Sequence, residues 1–210
     1  MIKNIIFDFD GVILDSVPIK TKAFKKLFES FSNEQVEKFI DYHKKNGGIS
    51  RYLKIKFFFE DILYQSISKK EIQNYAKKYS ELTREELTNP KYLIEDAVHF
   101  IKKNHQKYSM HIASGADEED LRYICQQLNL TKYFLSINGS PAKKNEIVSN
   151  ILRSNHYDTK EVILIGDSIN DYEAAYFNNI AFFAYNNITL MQKYKYIKSF
   201  KNFFPNDNDM

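Results

Sequence analysis

The chain has a single cysteine, Cys125, so no internal disulfide can form. This fits a reducing compartment, and Cys125 itself shares the apolar face of a helical pattern with Leu121, Ile124 and Leu128, where it reads as core. No apolar run approaches the roughly 20 residues of a bilayer span, so no membrane partner is expected. The amino-terminal strand pattern meets Asp8 too early for a signal peptide, and the expected location is cytoplasmic. An excess of either charge is also lacking: 30 basic against 27 acidic residues leave a net +3, which gives no argument for nucleic acid. The Lys/Tyr/Phe run from Gln192 to Phe204 reads as a packed edge with solvated lysines. No His/Cys cluster suggests a zinc-type site, and no repeat or low-complexity segment is seen.

What is present is organised around IIFDFDGVILDS, residues 5 to 16. The apolar Ile5-Ile6-Phe7 lacks alternation and reads as a central strand of a parallel sheet. Two carboxylates at the end of a buried strand are costly without a compensating role. If the strand conformation persists, residues two apart face one way, so Asp8 and Asp10 point into one small space. Gly11 then lets the backbone turn.

Residues 17 to 88 carry helical spacing only, with helices expected over 22–31, 33–44, 49–64 and 69–88. A block of about 70 residues is too long for a loop and reads as an inserted helical domain. Asn89-Pro90 closes it. Beyond it, helices over 93–104, 118–128, 144–155 and 170–178 alternate with strands over 109–114, 133–137, 162–165 and 180–184. The expected fold is α/β: a doubly wound parallel sheet formed by residues 1–16 and 89–210, with an α-helical cap domain at 17–88. Residues 186–210 are expected to form a short capping segment and a frayed end.

Ligands of such sheets bind beyond the carboxyl ends of the strands. The first strand brings Asp8 and Asp10 there, the second Ser114 and Gly115, the loop after the third Lys143 and Lys144, and the fourth Asp167 followed by Asp171. Carboxylates, a lysine and a hydroxyl at one edge suit phosphate and a divalent ion. Two carboxylates about 4 Å apart repel by roughly 4 kcal/mol at an effective dielectric of 20. Asp8, Asp10 and Asp167 therefore need a cation, and oxygen-only ligands favour Mg2+ over zinc.

The pattern resembles the haloacid dehalogenase-like superfamily, in its β-phosphoglucomutase/phosphoglycolate phosphatase-like subgroup with a helical cap. DFDGVILDS, ASG, the lysine after GSP, and GDSIND resemble its motifs in order, over nearly the whole chain. The resemblance implies a phosphatase that acts on a small phosphorylated metabolite; a monomer or weak dimer is expected. It implies Asp8 as nucleophile, Asp10 as acid and base, and Ser114, Gly115 and a lysine as phosphate contacts. Lys144 fits the GSPxxKxE spacing, and Lys143 is the alternative. Mg2+ is implied on Asp8, the carbonyl of Asp10, and Asp167, with Asp171 behind them. Neighbouring negative charge is expected to raise the pKa of Asp10, as suits an acid. Gly47-Gly48-Ile49-Ser50-Arg51 resembles the subgroup's cap loop, which makes Arg51 the expected cap contact, with Lys20 and His43 as further candidates. Ala116-Asp117-Glu118 stands where a mutase carries a basic-polar pair, and Lys20 where it carries His. Both departures favour hydrolysis over the alternatives, a phosphomutase or a non-catalytic phosphate-binding module.

Overall fold

A computed structural model describes residues 1–206 of the chain. The expected frayed end therefore falls partly on residues 207–210, outside the described residues. The fold is a six-stranded parallel sheet in the order β3-β2-β1-β4-β5-β6, flanked by helices. Its strands are β1 (Asn4–Phe7), β2 (Ser109–Asp117), β3 (Ser136–Ser140), β4 (Val162–Gly166), β5 (Ala181–Tyr185) and β6 (Tyr196–Ile197). All four residues of β1 are buried, as an unalternating apolar strand between two neighbours should be. Phe7 is level with Ile112 on one side and with Ile165 on the other. Strand order reverses between β1 and β4, which is where a doubly wound sheet opens a crevice.

Helices α1 (Val17–Leu27), α2 (Asn33–Lys45), α3 (Arg51–Phe57) and α4 (Lys69–Leu87) intervene between β1 and β2. Ser32 and Ser68 open α2 and α4 with capping boxes, each reciprocated by a Gln or Glu at the third position. These helices bury their own cluster, in which Phe24, Phe28, Phe39 and Phe58 pack together. The Phe28 and Phe58 rings stack at 3.9 Å between centroids. The remaining helices are α5 (Glu95–Asn104), α6 (Glu118–Gln127), α7 (Lys144–Ser154) and α8 (Ile169–Phe177). Two further clusters fill the two faces of the sheet, one including Leu121 and Cys125 of α6 and the other Val148 and Ala175 of α7 and α8.

Several boundaries differ from the sequence reading. The first helix begins at Val17, with Pro18 in its first turn, where a missing N–H costs no hydrogen bond. The helix expected over 49–64 ends at Phe57 and widens into a π-turn over Phe58–Ile62, which carries the buried Phe58 and Phe59. The strand expected at 133–137 is Ser136–Ser140, and Thr131–Tyr133 is a 3-10 turn. This edge strand alternates polar and apolar residues: Ser136 bonds His111, and Asn138 donates to the Ile112 carbonyl. Its apolar signal is too sparse to mark its ends. The two-residue β6 was not expected; it pairs with β5 and closes that edge.

Candidate active site

The site lies over the crevice between β1 and β4. Strand β1 stops at Phe7, and Asp8 N–H donates to the Ile165 carbonyl at 2.8 Å, which fixes the next residue beyond the ladder. The strand does not continue to Asp10, so the two aspartates take different partners. Asp8 is buried beside Lys144, the first residue of α7, whose Nζ is 2.9 Å from Asp8 Oδ1. Apart from this ion pair, Asp8 Oδ1 has no hydrogen-bond partner among the described residues. Lys144 also pairs closely with Asp171 Oδ1. Burial works against the Lys144 charge, but Asp171 and Asp8 outweigh it and hold its pKa above the ordinary lysine value.

Asp171 is fully committed. Its other oxygen accepts from Ser168 N–H at 2.9 Å and Ser168 Oγ at 2.6 Å, forming the capping box of α8. Asp167 is different: among the described residues its carboxylate takes no hydrogen bond or ion pair, although its backbone carbonyl accepts from Asn187. Oxygens of Asp8, Asp167 and Asp171 lie within 4.8 Å of one another. Burial, then the charge of Asp171, pushes the Asp8 carboxyl up to about 7 despite Lys144. Burial and the Asp8 charge hold the Asp167 carboxyl well above its ordinary range. A buried Asp8 carboxylate whose Oδ1 meets Lys144 alone, an unpaired carboxylate on Asp167 and an all-oxygen donor set fit a hard divalent cation such as Mg2+. Asp171 fits a supporting place behind it.

Gly11 is part of this geometry. Its φ is +78°, and a Cβ there would lie 2.1 Å from Asp167 Oδ2, so only glycine lets the turn after Asp10 pass the Asp167 carboxylate. Asn186 donates to the Gly11 carbonyl at 2.9 Å, and with Asn187 it ties the loop after β5 to both acidic loops.

Asp10 is pulled the other way. Its carboxylate accepts from Ser16 Oγ at 2.6 Å and from Lys20 Nζ of α1 at 2.5 Å. Burial raises its pKa, but the Lys20 charge and these hydrogen bonds outweigh burial and hold it below the ordinary value. The expectation of a raised Asp10 pKa is therefore corrected: a cation, not another carboxylate, is its nearest charged neighbour.

Ser114 is fully buried, and its Oγ accepts from Ala116 N–H at 3.1 Å. The β2–β3 register slips between Ala113 and Asp117, the stretch that carries Ser114 and Gly115. Gly115 lines the cavity, and a Cβ there would meet the Gly48 carbonyl oxygen at 2.2 Å, so the α2–α3 loop sits directly on it. Lys143 is the N-cap of α7 and is exposed, while Lys144 is the buried lysine beside Asp8.

A cavity of about 480 Å3 separates the helical block from this edge, the size of a small-metabolite site. Asp10 and Asp167 line it from the sheet, and Lys20, His43, Arg51 and Lys54 from the helices. Arg51 is buried, and its Nη1 donates to Asp120 Oδ2 and to Ser80 Oγ, both at 2.6 Å. His43 is also buried, with Nδ1 3.0 Å from Lys54 Nζ. Lys54 did not stand out in the sequence reading; the signal was its position one helical turn after Arg51, on the same face. Asn186 and Asn187 carried no sequence signal.

A family model described as haloacid dehalogenase-like hydrolase matches residues 5–185. A phosphorylated carbohydrates phosphatase of Thermotoga maritima is 26% identical over 180 residues, 81% of this chain and 79% of that protein. A phosphoglycolate phosphatase of Vibrio parahaemolyticus is 27% identical over 188 residues, 83% of this chain and 79% of that protein. In fold, the chain is similar to a β-phosphoglucomutase of Clostridium difficile, with a TM-score of 0.77, 18% identity and coverage of 97% and 94% of the two chains. Among the described residues no helix is long and apolar enough to cross a membrane. With the family's model covering both acidic loops and everything between them, the chain belongs to the haloacid dehalogenase-like hydrolases.

Proposed function

We propose that this protein is a Mg2+-dependent phosphatase that hydrolyses a small phosphorylated metabolite through a phosphoryl group carried on Asp8. The observation that carries the reading is the buried Asp8 carboxylate, set between the Lys144 ammonium and the unpaired Asp167. The two relatives named as phosphatases support the reaction class. The neighbouring structure of Rhodobacter sphaeroides CbbY in complex with xylulose-(1,5)bisphosphate, with a TM-score of 0.75, supports only the fold at 14% identity.

In the first half-reaction an Asp8 oxygen bonds to phosphorus while the ester P–O bond breaks, and Asp10 gives its proton to the leaving alkoxide. In the second, Asp10 takes a proton from water, the water oxygen bonds to phosphorus, and the Asp8–phosphorus linkage breaks to release phosphate. Lys144 and Ser114 hold the phosphoryl oxygens as charge shifts among them. Asp8, Asp167 and the Asp10 carbonyl would hold Mg2+, whose positive charge would keep the carboxylates ionised and offset the incoming phosphate. The ion pair with Lys20 keeps Asp10 deprotonated, so Asp10 has to part from Lys20 and take up a proton from solvent before it gives one to the leaving alkoxide. Residues 17–88 act as the cap, which excludes water and selects substrate. Asp117 accepts from Tyr52 at 2.5 Å in the place of a mutase's basic pair, which favours hydrolysis.

Turnover of p-nitrophenyl phosphate, with and without Mg2+, tests the reading. Phosphate release that depends on Mg2+ supports it, and none under either condition refutes it. A screen of phosphorylated metabolites then ranks substrates.

A further inference from the structure

A second cavity, of about 660 Å3, lies between α5 and the segment that follows β6, and no residue lines both it and the active-site cavity. It is large enough to hold a small molecule. Its inner wall is aromatic. Phe100, Tyr108 and Phe203 are almost wholly buried, and Phe100 meets Tyr108 at 6.5 Å and Phe203 at 5.5 Å between ring centroids. Such a cluster offers ring faces and edges to a further ring. Phe200 and Phe203 form the packed edge that the sequence suggests. Phe204 does not: it also lines the cavity, yet it is 57% exposed. A phenyl ring left in water beside an aromatic cavity gains by being covered.

The polar groups of the lining are unequally satisfied. Asp96 is fully engaged, accepting from Tyr185 Oη at 2.7 Å, Ser199 Oγ at 3.0 Å and Phe200 N–H at 2.9 Å. The hydroxyl of Tyr108, a residue only 4% exposed, has no hydrogen-bond partner among the described residues. Lys107 Nζ lies 5.1 Å from the centroid of that same ring. Lys103, Lys107 and Lys201 are exposed, and none makes an ion pair among the described residues. Against these three ammonium groups the lining sets one uncommitted carboxylate, Glu95. The cavity is therefore aromatic within and positive at its rim.

We propose that this cavity is a second ligand site, which takes a small aromatic carboxylate. The ligand's ring packs among Phe100, Phe203 and Phe204 and covers the exposed face of Phe204. Its carboxylate accepts from the Tyr108 hydroxyl and from a rim lysine in charge-assisted hydrogen bonds. The segment after β6, which takes no part in the phosphoryl chemistry, thereby supplies half of a binding site.

The test is calorimetric titration of the full chain with 2-naphthoate and with the neutral 2-naphthalenemethanol, which carries the same ring. Mg2+ and inorganic phosphate are present to fill the active site. The expected result is binding of naphthoate about 10- to 100-fold tighter than of the alcohol, as for a charge-assisted hydrogen bond. That preference should vanish in the combined Lys103→Gln, Lys107→Gln, Lys201→Gln variant, and Phe204→Ala should weaken both ligands. All four side chains are exposed, so both variants should keep the fold, which circular dichroism checks. No binding of either ligand at millimolar concentration, or equal affinity for the two, overturns the proposal. A preference unchanged in the triple variant also overturns it, because naphthoate then binds elsewhere.

Discussion

Arg51 of α3 and Asp120 of α6 are joined by a 2.6 Å ion pair that fastens the helical block to the sheet domain, with both side chains almost wholly buried. Ser80 and Arg84 of α4 bond the same carboxylate, so three side chains of the helical block converge on one acid. Burial raises the Asp120 pKa, but Ser80, Arg51 and Arg84 outweigh it and hold it below the ordinary value. A depressed carboxyl stabilises the fold above its unfolded pKa, and that contribution is lost only as pH falls through the folded value. At neutral pH the latch is therefore fully formed.

Asp120→Ala leaves the Arg51 charge buried and unpaired, which costs about 3–5 kcal/mol in comparable pairs. Urea unfolding followed by circular dichroism is expected to show a loss of that order. A loss within about 0.5 kcal/mol, as at ordinary surface sites, would mean that the pair contributes nothing.

Gly11→Ala places a methyl group where Asp167 Oδ2 now lies, at a φ that costs an L-residue about 1–2 kcal/mol. The variant is expected to displace Asp167 and to lose most of the thermal stabilisation that Mg2+ gives the wild type. A Mg2+-dependent rise in Tm equal to that of the wild type would separate Gly11 from the metal site.

The acidic cluster makes the effect of Mg2+ depend on pH. In the metal-free protein the Asp8 carboxyl is pushed from 3.8 up to about 7. Between those values the folded state binds more protons than the unfolded one, so this group costs stability as pH rises through that window. Mg2+ binds the ionised carboxylates, so its stabilisation should grow as pH rises. Thermal melts with and without Mg2+ at pH 5.5 and 8 are expected to show the larger shift at pH 8. A shift that shrinks with pH would exclude Asp8 from the cation site.

Much of this site was legible because its residues sit where strands end. A buried apolar run that stops at Asp8, and another that stops at Gly166-Asp167, fix two carboxylates on adjacent strands before any side chain is placed. The choice of Lys144 over Lys143 followed from motif spacing, and burial beside Asp8 distinguishes the two in the structure. Tertiary contacts were not legible in the same way. Nothing near Arg51 in sequence shows that its partner is Asp120, 69 residues later, or that Lys20 lowers the pKa of Asp10. Lys54 was not singled out, because its place one helical turn after Arg51 does not by itself show that this face of α3 lines a cavity. Strand β3 escaped correct placement because its polar alternation belongs to an edge, and β6 because two residues carry no period.

The central claim is that Asp8 carries the phosphoryl group, and it is tested most directly by phosphate release from p-nitrophenyl phosphate with Mg2+ by the wild type and by Asp8→Asn, both checked for folding by circular dichroism. The account predicts release by the wild type and a fall to background in Asp8→Asn, with the fold retained. Release by Asp8→Asn at the wild-type rate would contradict it.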